Sequence, residues 1–183
     1  MTAAASTNPR SRLRVRLVLA CLSTCGLAAL AWAAFVQPLP RLVYNPSGSV
    51  PVGWYRIGPS DALRVGAIVL TTMPPDAAAL AAQRRYLPAR VPLLKRVGAI
   101  APQHVCIFDA LVWIDGVPVA AVLPADRLGR PLPSWPHCRH LEAGELFLWS
   151  STNPASFDSR YFGPVSAAAV IGVAHPLWLE KRP

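Results

Sequence analysis

An irregular, mainly β domain of short strands with one short helix, preceded by one N-terminal transmembrane helix, is the fold class this sequence predicts. Three observations carry it. First, 20 prolines among 183 residues demand many turns and leave little room for long helices. Second, a hydrophobic share of 53% against 15% charged residues supplies enough apolar surface for a packed core and excludes a disordered chain. Third, the apolar residues downstream fall into short runs bounded by turn signals, whereas Leu17 to Val36 holds no formal charge over about twenty residues, the length that crosses a bilayer as a helix.

The net charge of +9 raises the question of nucleic acid, and its distribution answers against it. Arg10, Arg12, Arg14 and Arg16 precede the apolar stretch, and the remaining basic residues form no dense run. Four arginines before an apolar span are instead the pattern of a cytoplasmic flank. The chain therefore divides into a cytoplasmic basic tail (1–16), a transmembrane anchor (17–36) and a domain across the membrane (37–183), periplasmic in a Gram-negative host. Ala31-Trp32-Ala33 also fits a small-x-small cleavage site, so a removed signal peptide is the alternative to a retained anchor. Cys21 and Cys25 are small apolar residues within that span.

Gln37 to Tyr44 leads out of the membrane, which brings the next stretch, Asn45 to Tyr55, close to the bilayer surface. There Pro46 fixes one backbone angle, Gly48 permits conformations closed to other residues, and Pro51 restricts Val50. Such a loop can hold Ser49 as an exposed nucleophile; it can equally be a Pro/Gly/Ser linker. Gly66 to Leu70 reads as a buried strand. Pro74-Pro75-Asp76 opens a helix, with Asp76 near its cap, that runs from Ala77 to Tyr86 and stops before Pro88. The Gln83-Arg84-Arg85 end reads as a solvated face.

Val91 to Ile100 is the next strand, and alternation places Val91, Leu93, Lys95, Val97 and Ala99 on one face. A lysine on that apolar row is either at a sheet edge with its ammonium in water or buried. Burial disfavours the ammonium and lowers the pKa toward the range where the amine accepts a proton, and a serine with such a lysine makes a Ser/Lys dyad. His104 to Ala120 reads as a hairpin-rich arm with turns at Asp109-Ala110 and Asp115-Gly116. Residues 124–140 read as a loop ending in His137-Cys138-Arg139-His140.

With the domain in an oxidising compartment, Cys106 and Cys138 are expected to form a disulfide. Metal binding by His137, Cys138 and His140 is the rival, disfavoured by close spacing and a missing fourth ligand, so no metal and no other cofactor is expected. Glu145 to Ser151 is a buried strand. A polar cluster, Thr152 to Val165, follows, either a turn tied by an Asp158/Arg160 ion pair or a loop that orients a base. Val170 to Trp178 closes the domain as a strand with an exposed tail.

Taken together, Pro46-Ser47-Gly48-Ser49-Val50-Pro51, Leu94-Lys95-Arg96-Val97 and Ser156-Phe157-Asp158-Ser159-Arg160-Tyr161-Phe162-Gly163 resemble, in order, the boxes of type I signal peptidases. The anchor and the arm between the last two boxes extend the resemblance over essentially the whole chain. Ser-Val-Pro-Val-Gly-Trp-Tyr and Gly129-Arg130-Pro131-Leu132-Pro133-Ser134-Trp135 are closer to the TraF-type peptidases of conjugative transfer, which mature pilin precursors. Val50 after the nucleophile, and Ser150-Ser151-Thr152-Asn153 in place of Gly-Asp-Asn-Arg, depart from the general signal peptidases.

The resemblance implies antiparallel coiled β-sheets, Ser49 as nucleophile and Lys95 as its general base. It further implies Ser47 with the Ser49 backbone N–H as the oxyanion hole, Ser156 as the hydroxyl on the lysine, and Asp158 with Arg160 as the supporting ion pair. The implied partners are a membrane-tethered pilin or preprotein substrate, the bacterial inner membrane and a conjugative transfer apparatus. A general signal peptidase or a non-catalytic scaffold of such an apparatus are the alternatives.

Overall fold

The computed structural model describes residues 9–35, 41–61 and 63–180, which form two units. The first is helix α1, Pro9–Phe35, whose segment Arg12–Ala33 is long and apolar enough to cross a membrane and exposes its side chains throughout. Its start lies upstream of the expected Leu17, because Pro9 is tolerated in a first helical turn and the arginines that follow are good helix formers. Cys21 and Cys25 are free thiols on its surface. Residues 1–8 of the expected basic tail, Val36 at the end of the expected span, and residues 37–40 of the connection lie outside the described residues.

The second unit is mainly β, antiparallel throughout. Strands β1 (Leu42–Asn45), β2 (Gly53–Gly58), β3 (Ile68–Thr71), β4 (Leu93–Ile100), β9 (Glu145–Trp149), β10 (Val165–Ser166) and β11 (Val170–Leu179) form one sheet in the order β1-β2-β11-β3-β4-β9-β10. Strands β5 (His104–Phe108), β6 (Leu111–Ile114), β7 (Val117–Ala121) and β8 (Cys138–His140) form a second sheet in the order β7-β6-β5-β8. Register shifts at Val97/Ala99 in β4 and at two places in β11 are bulges, which bend strands and raise twist, so the large sheet curls. Helix α2 (Pro75–Gln83) and the single turn α3 (Ser159–Phe162) complete it, with a 3-10 turn at Ala167–Ala169. The expected single short helix is thus joined by a second.

The large sheet is covered on both faces. Val69, Val97, Leu148 and Val165 pack on one side, and Val50, Tyr55, Leu70 and Leu94 on the other. The arm's core of Val105, Val112 and Ile114 closes only with Ala99 and Phe147 from the large sheet. Its two hairpins turn at Asp109-Ala110 and Asp115-Gly116, where all four residues have positive φ, the geometry a tight antiparallel hairpin requires.

Several expected boundaries move, each for a local reason. The strand expected from Val91 begins at Leu93, because Pro92 has no N–H for the ladder, and Val91 is 43% exposed rather than on the buried row. Gly66 has φ 86 and belongs to a turn, so the strand expected there starts at Ile68. Helix α2 stops at Gln83 rather than Tyr86, closed by Arg85 at φ 59 and the Tyr86 N–H donating to the Ala81 carbonyl over 2.8 Å. Asp76 lies in its first turn, favourable to the helix dipole, but the cap is Pro74 and no side chain caps the helix. Cys138 to His140, expected as loop, is an edge strand drawn into register opposite Cys106.

Candidate active site

The loop between β1 and β2 is shaped by an asparagine. Asn45, at the end of β1 and 5% exposed, donates from Nδ2 to the carbonyls of Ser47 (2.8 Å), Val50 (3.0 Å) and Pro51 (3.2 Å). Three carbonyls around one atom fix the amide's orientation, since only nitrogen can donate. Its Oδ1 therefore faces the backbone N–H of Ser47 (3.2 Å) and the Ser47 hydroxyl (2.8 Å), and accepts from both. Thr152 Oγ1 donates to the Gly48 carbonyl over 2.7 Å, and Tyr55 OH to that of Pro51 over 2.6 Å. Gly48 itself has no left-handed φ; the residue that must be glycine is Gly53, at φ 145 with the Trp178 carbonyl 2.1 Å from where a Cβ would sit.

Held this way, Ser49 is 9% exposed with its Oγ 2.8 Å from Ser47 Oγ and 3.4 Å from the Leu94 carbonyl. Ser47 has one hydroxyl hydrogen and spends it on Asn45. The oxyanion role expected of that hydroxyl therefore requires it to exchange partners.

Lys95 lies directly across from Val69 on the apolar row and is 5% exposed. Its Nζ donates to Ser156 Oγ in a short hydrogen bond. Burial lowers its pKa from 10.5 to about 8; the Asp158 carboxylate acts against that fall and the Arg160 guanidinium adds to it. Of the two readings the sequence left open, the buried one is what the fold adopts, because β4 is flanked by β3 and β9 and has no free edge. Ser49 Oγ and Lys95 Nζ do not hydrogen-bond directly, and both line one cavity of about 1220 Å³ with Ser47 and Ser156.

The support for Ser156 comes from α3. Asp158 caps it, accepting from the Arg160 N–H at 3.3 Å, and pairs with the Arg160 side chain through Nε–Oδ1 at 2.7 Å and a second bond of 2.8 Å to Oδ2. Both are essentially unexposed, and the guanidinium is fully used: it also donates to the carbonyls of Ser156, Pro154 and Ala121, each at 2.9 Å. Asp158 Oδ2 further accepts from the Ser150 N–H at 3.1 Å. A buried ion pair with all its donors and acceptors satisfied fixes one conformation, and the backbone it holds is the one that carries Ser156.

Each residue expected in the dyad and its support is thus at one cavity or in the turn behind it. Cys106 and Cys138 are joined as a disulfide between β5 and β8, which removes Cys138 as a metal ligand beside His137 and His140. Sequence reasoning overlooked Asn45 and Thr152, and also Ser159, whose Oγ accepts from the Leu148 N–H at 2.9 Å and ties α3 to β9. It also read Arg84 as solvated, whereas Arg84 donates to the Pro131 carbonyl at 2.8 Å and lines the cavity wall with Tyr86, Asp126 and Arg130.

A curled antiparallel β domain behind one apolar helix, with a hydroxyl and a buried lysine at one cleft, defines the class of the signal-processing serine peptidases. The chain belongs to the family described as "Signal peptidase, peptidase S26", whose model matches residues 14–179. It is similar to the "Plasmid transfer protein TraF" of Escherichia coli, 32% identical over 177 residues that cover 91% of this chain and 95% of that one. A "Probable conjugal transfer protein TraF" of Sinorhizobium fredii is 33% identical over 138 residues, covering 71% and 73%. Among solved structures, a signal peptidase I from Enterococcus faecalis is 21% identical, covers 62% of this chain and 97% of its own, and superposes with a TM-score of 0.38.

Proposed function

We propose that this serine peptidase is a Ser/Lys-dyad enzyme, anchored by α1 with its β domain in the periplasm, that cleaves the precursor of a conjugative pilin or a similar secreted protein. The observation that carries the reading is the buried Lys95 amine, lowered to about 8 and held by Ser156 at the cavity that Ser49 lines. The conjugative assignment is supported by the relatives, whose names are those of transfer proteins.

As substrate enters, the Ser49 hydroxyl turns from Ser47 toward Lys95, and the neutral amine takes its proton while Oγ bonds to the peptide carbonyl carbon. The Ser49 backbone N–H, joined by the Ser47 hydroxyl as it leaves Asn45, stabilises the oxyanion. Lys95 then returns the proton to the leaving amine. Water resolves the acyl-enzyme, or the amino end of the same substrate does, closing a ring. No cofactor enters any of these steps, and a membrane-tethered precursor, the inner membrane and the transfer apparatus are the partners this reading requires.

Incubating the purified chain with candidate precursors from its own genetic neighbourhood, followed by mass spectrometry, tests this. Cleavage of a pilin-like precursor is expected, and a product one water lighter than the linear cleaved peptide reports ring closure. Processing of many unrelated secretory precursors would identify a general signal peptidase instead. Undiminished processing by Ser49→Ala and Lys95→Ala variants would leave the chain a scaffold beside some other enzyme.

A further inference from the structure

We infer that Asn45 is a positioning residue for the nucleophile: it fixes the direction of the hydrogen bond between the two serines in the resting site, so that there Ser47 accepts from Ser49 rather than donating to it. This rests on the peptidase reading above. The orientation of the Asn45 amide is settled by its three carbonyl partners, so Oδ1 is the atom facing Ser47 Oγ at 2.8 Å. An amide oxygen cannot donate, so the hydrogen between them belongs to Ser47. Ser47 has no second hydrogen, so its 2.8 Å contact with Ser49 Oγ is filled by the Ser49 hydroxyl, whose other acceptor, the Leu94 carbonyl, lies farther off at 3.4 Å.

The chain of donors therefore runs Ser49 to Ser47 to Asn45. Its chemical consequence falls on Ser49. A donor on Ser49 Oγ would occupy a lone pair that has to attack; an acceptor leaves both lone pairs free toward the cleft and holds the side chain in one rotamer until the base takes its proton. Because Asn45 is 5% exposed and anchors the loop at Ser47, Val50 and Pro51, water cannot readily take its place. The same residue thus sets both the loop's shape and the polarity of its hydroxyl pair.

The two roles separate in a double-mutant cycle on the full chain, read as the rate of Ser49 acylation by an alanine-ended peptide p-nitrophenyl ester. In that reaction Ser49 Oγ bonds to the acyl carbon, p-nitrophenolate leaves, and Lys95 receives the proton; the adduct is located by intact-mass and peptide mass spectrometry. Asn45→Ala is expected to slow acylation roughly tenfold, the effect of freeing Ser47 to donate to the nucleophile. The same change in a Ser47→Ala background is expected to cost only about threefold, the share that belongs to loop shape, and the pH midpoint, which belongs to Lys95, stays in place in every variant. An equal loss in both backgrounds would assign Asn45 to loop shape alone and overturn the inference while leaving the dyad intact. Absence of any adduct on Ser49 of the unmodified chain would overturn the peptidase reading and this inference with it.

Discussion

The two sheets of the domain are stabilised by different means. The large sheet and the α3 turn beside it bury charge: Lys95, Asp158 and Arg160 are each at most 5% exposed, every one hydrogen-bonded to named partners. The arm buries almost none. Its β7 and β8 are largely exposed, Phe108 and Val117 face solvent, and its thin core is completed by Phe147 of the other sheet and by the Cys106–Cys138 bond. Buried charge is costly, so a region that carries it forgoes stability for a fixed arrangement, whereas the arm is built without buried charge.

The contrast is broken most severely at the dyad. Lys95→Met is expected to reduce precursor cleavage about 1,000-fold, the middle of the range for losing a general base, while equilibrium denaturation finds the variant no less stable at neutral pH. That outcome separates function from stability in the large sheet. Asp158→Ala should cost roughly 3–5 kcal/mol, because it leaves the Arg160 guanidinium buried without its carboxylate, and activity should fall with the loss of the Ser156 backbone support. Denaturant titration reads the first effect and a cleavage assay the second.

In the arm the same measurements should dissociate the other way. Cys106→Ser opens a cross-link spanning 32 residues and is expected to cost about 2–4 kcal/mol, yet cleavage at a temperature where the variant stays folded should remain within about threefold. A large activity loss there would mean the arm shapes the site. Gly163→Ala is expected to cost about 2–4 kcal/mol by thermal denaturation, since φ 80 with ψ -172 is a conformation that strains alanine and its Cβ would meet the Trp135 ring at 2.7 Å.

What could be read in advance follows from the range of the interactions. Lys95 announced itself as one charge on an apolar row, and Ser49, Ser156, Asp158 and Arg160 through local runs whose order is specific. The hairpin turns were equally local, fixed by Asp109-Ala110 and Asp115-Gly116. Asn45 was missed because its role is visible only when three carbonyls of a folded loop surround it, although a polar residue closing a strand before Pro46 was the available signal. Thr152 reaches Gly48, and Arg84 reaches Pro131, across long sequence separations that no periodicity encodes. Gly48 and Gly53 looked alike in sequence; the close approach of Trp178 from β11 is what distinguishes them.

The central claim is that neutral Lys95 is the base for Ser49, and its most direct test is the pH dependence of Ser49 acylation. The folded pKa of about 8 lies below the ordinary 10.5, so the unfolded chain binds the extra proton between those values. Folding stability should therefore rise with pH across that window, by about 3 kcal/mol in total, and the acylation rate should climb about tenfold per pH unit before levelling near pH 8. A rate that stays flat from mildly acidic to alkaline pH would contradict the account.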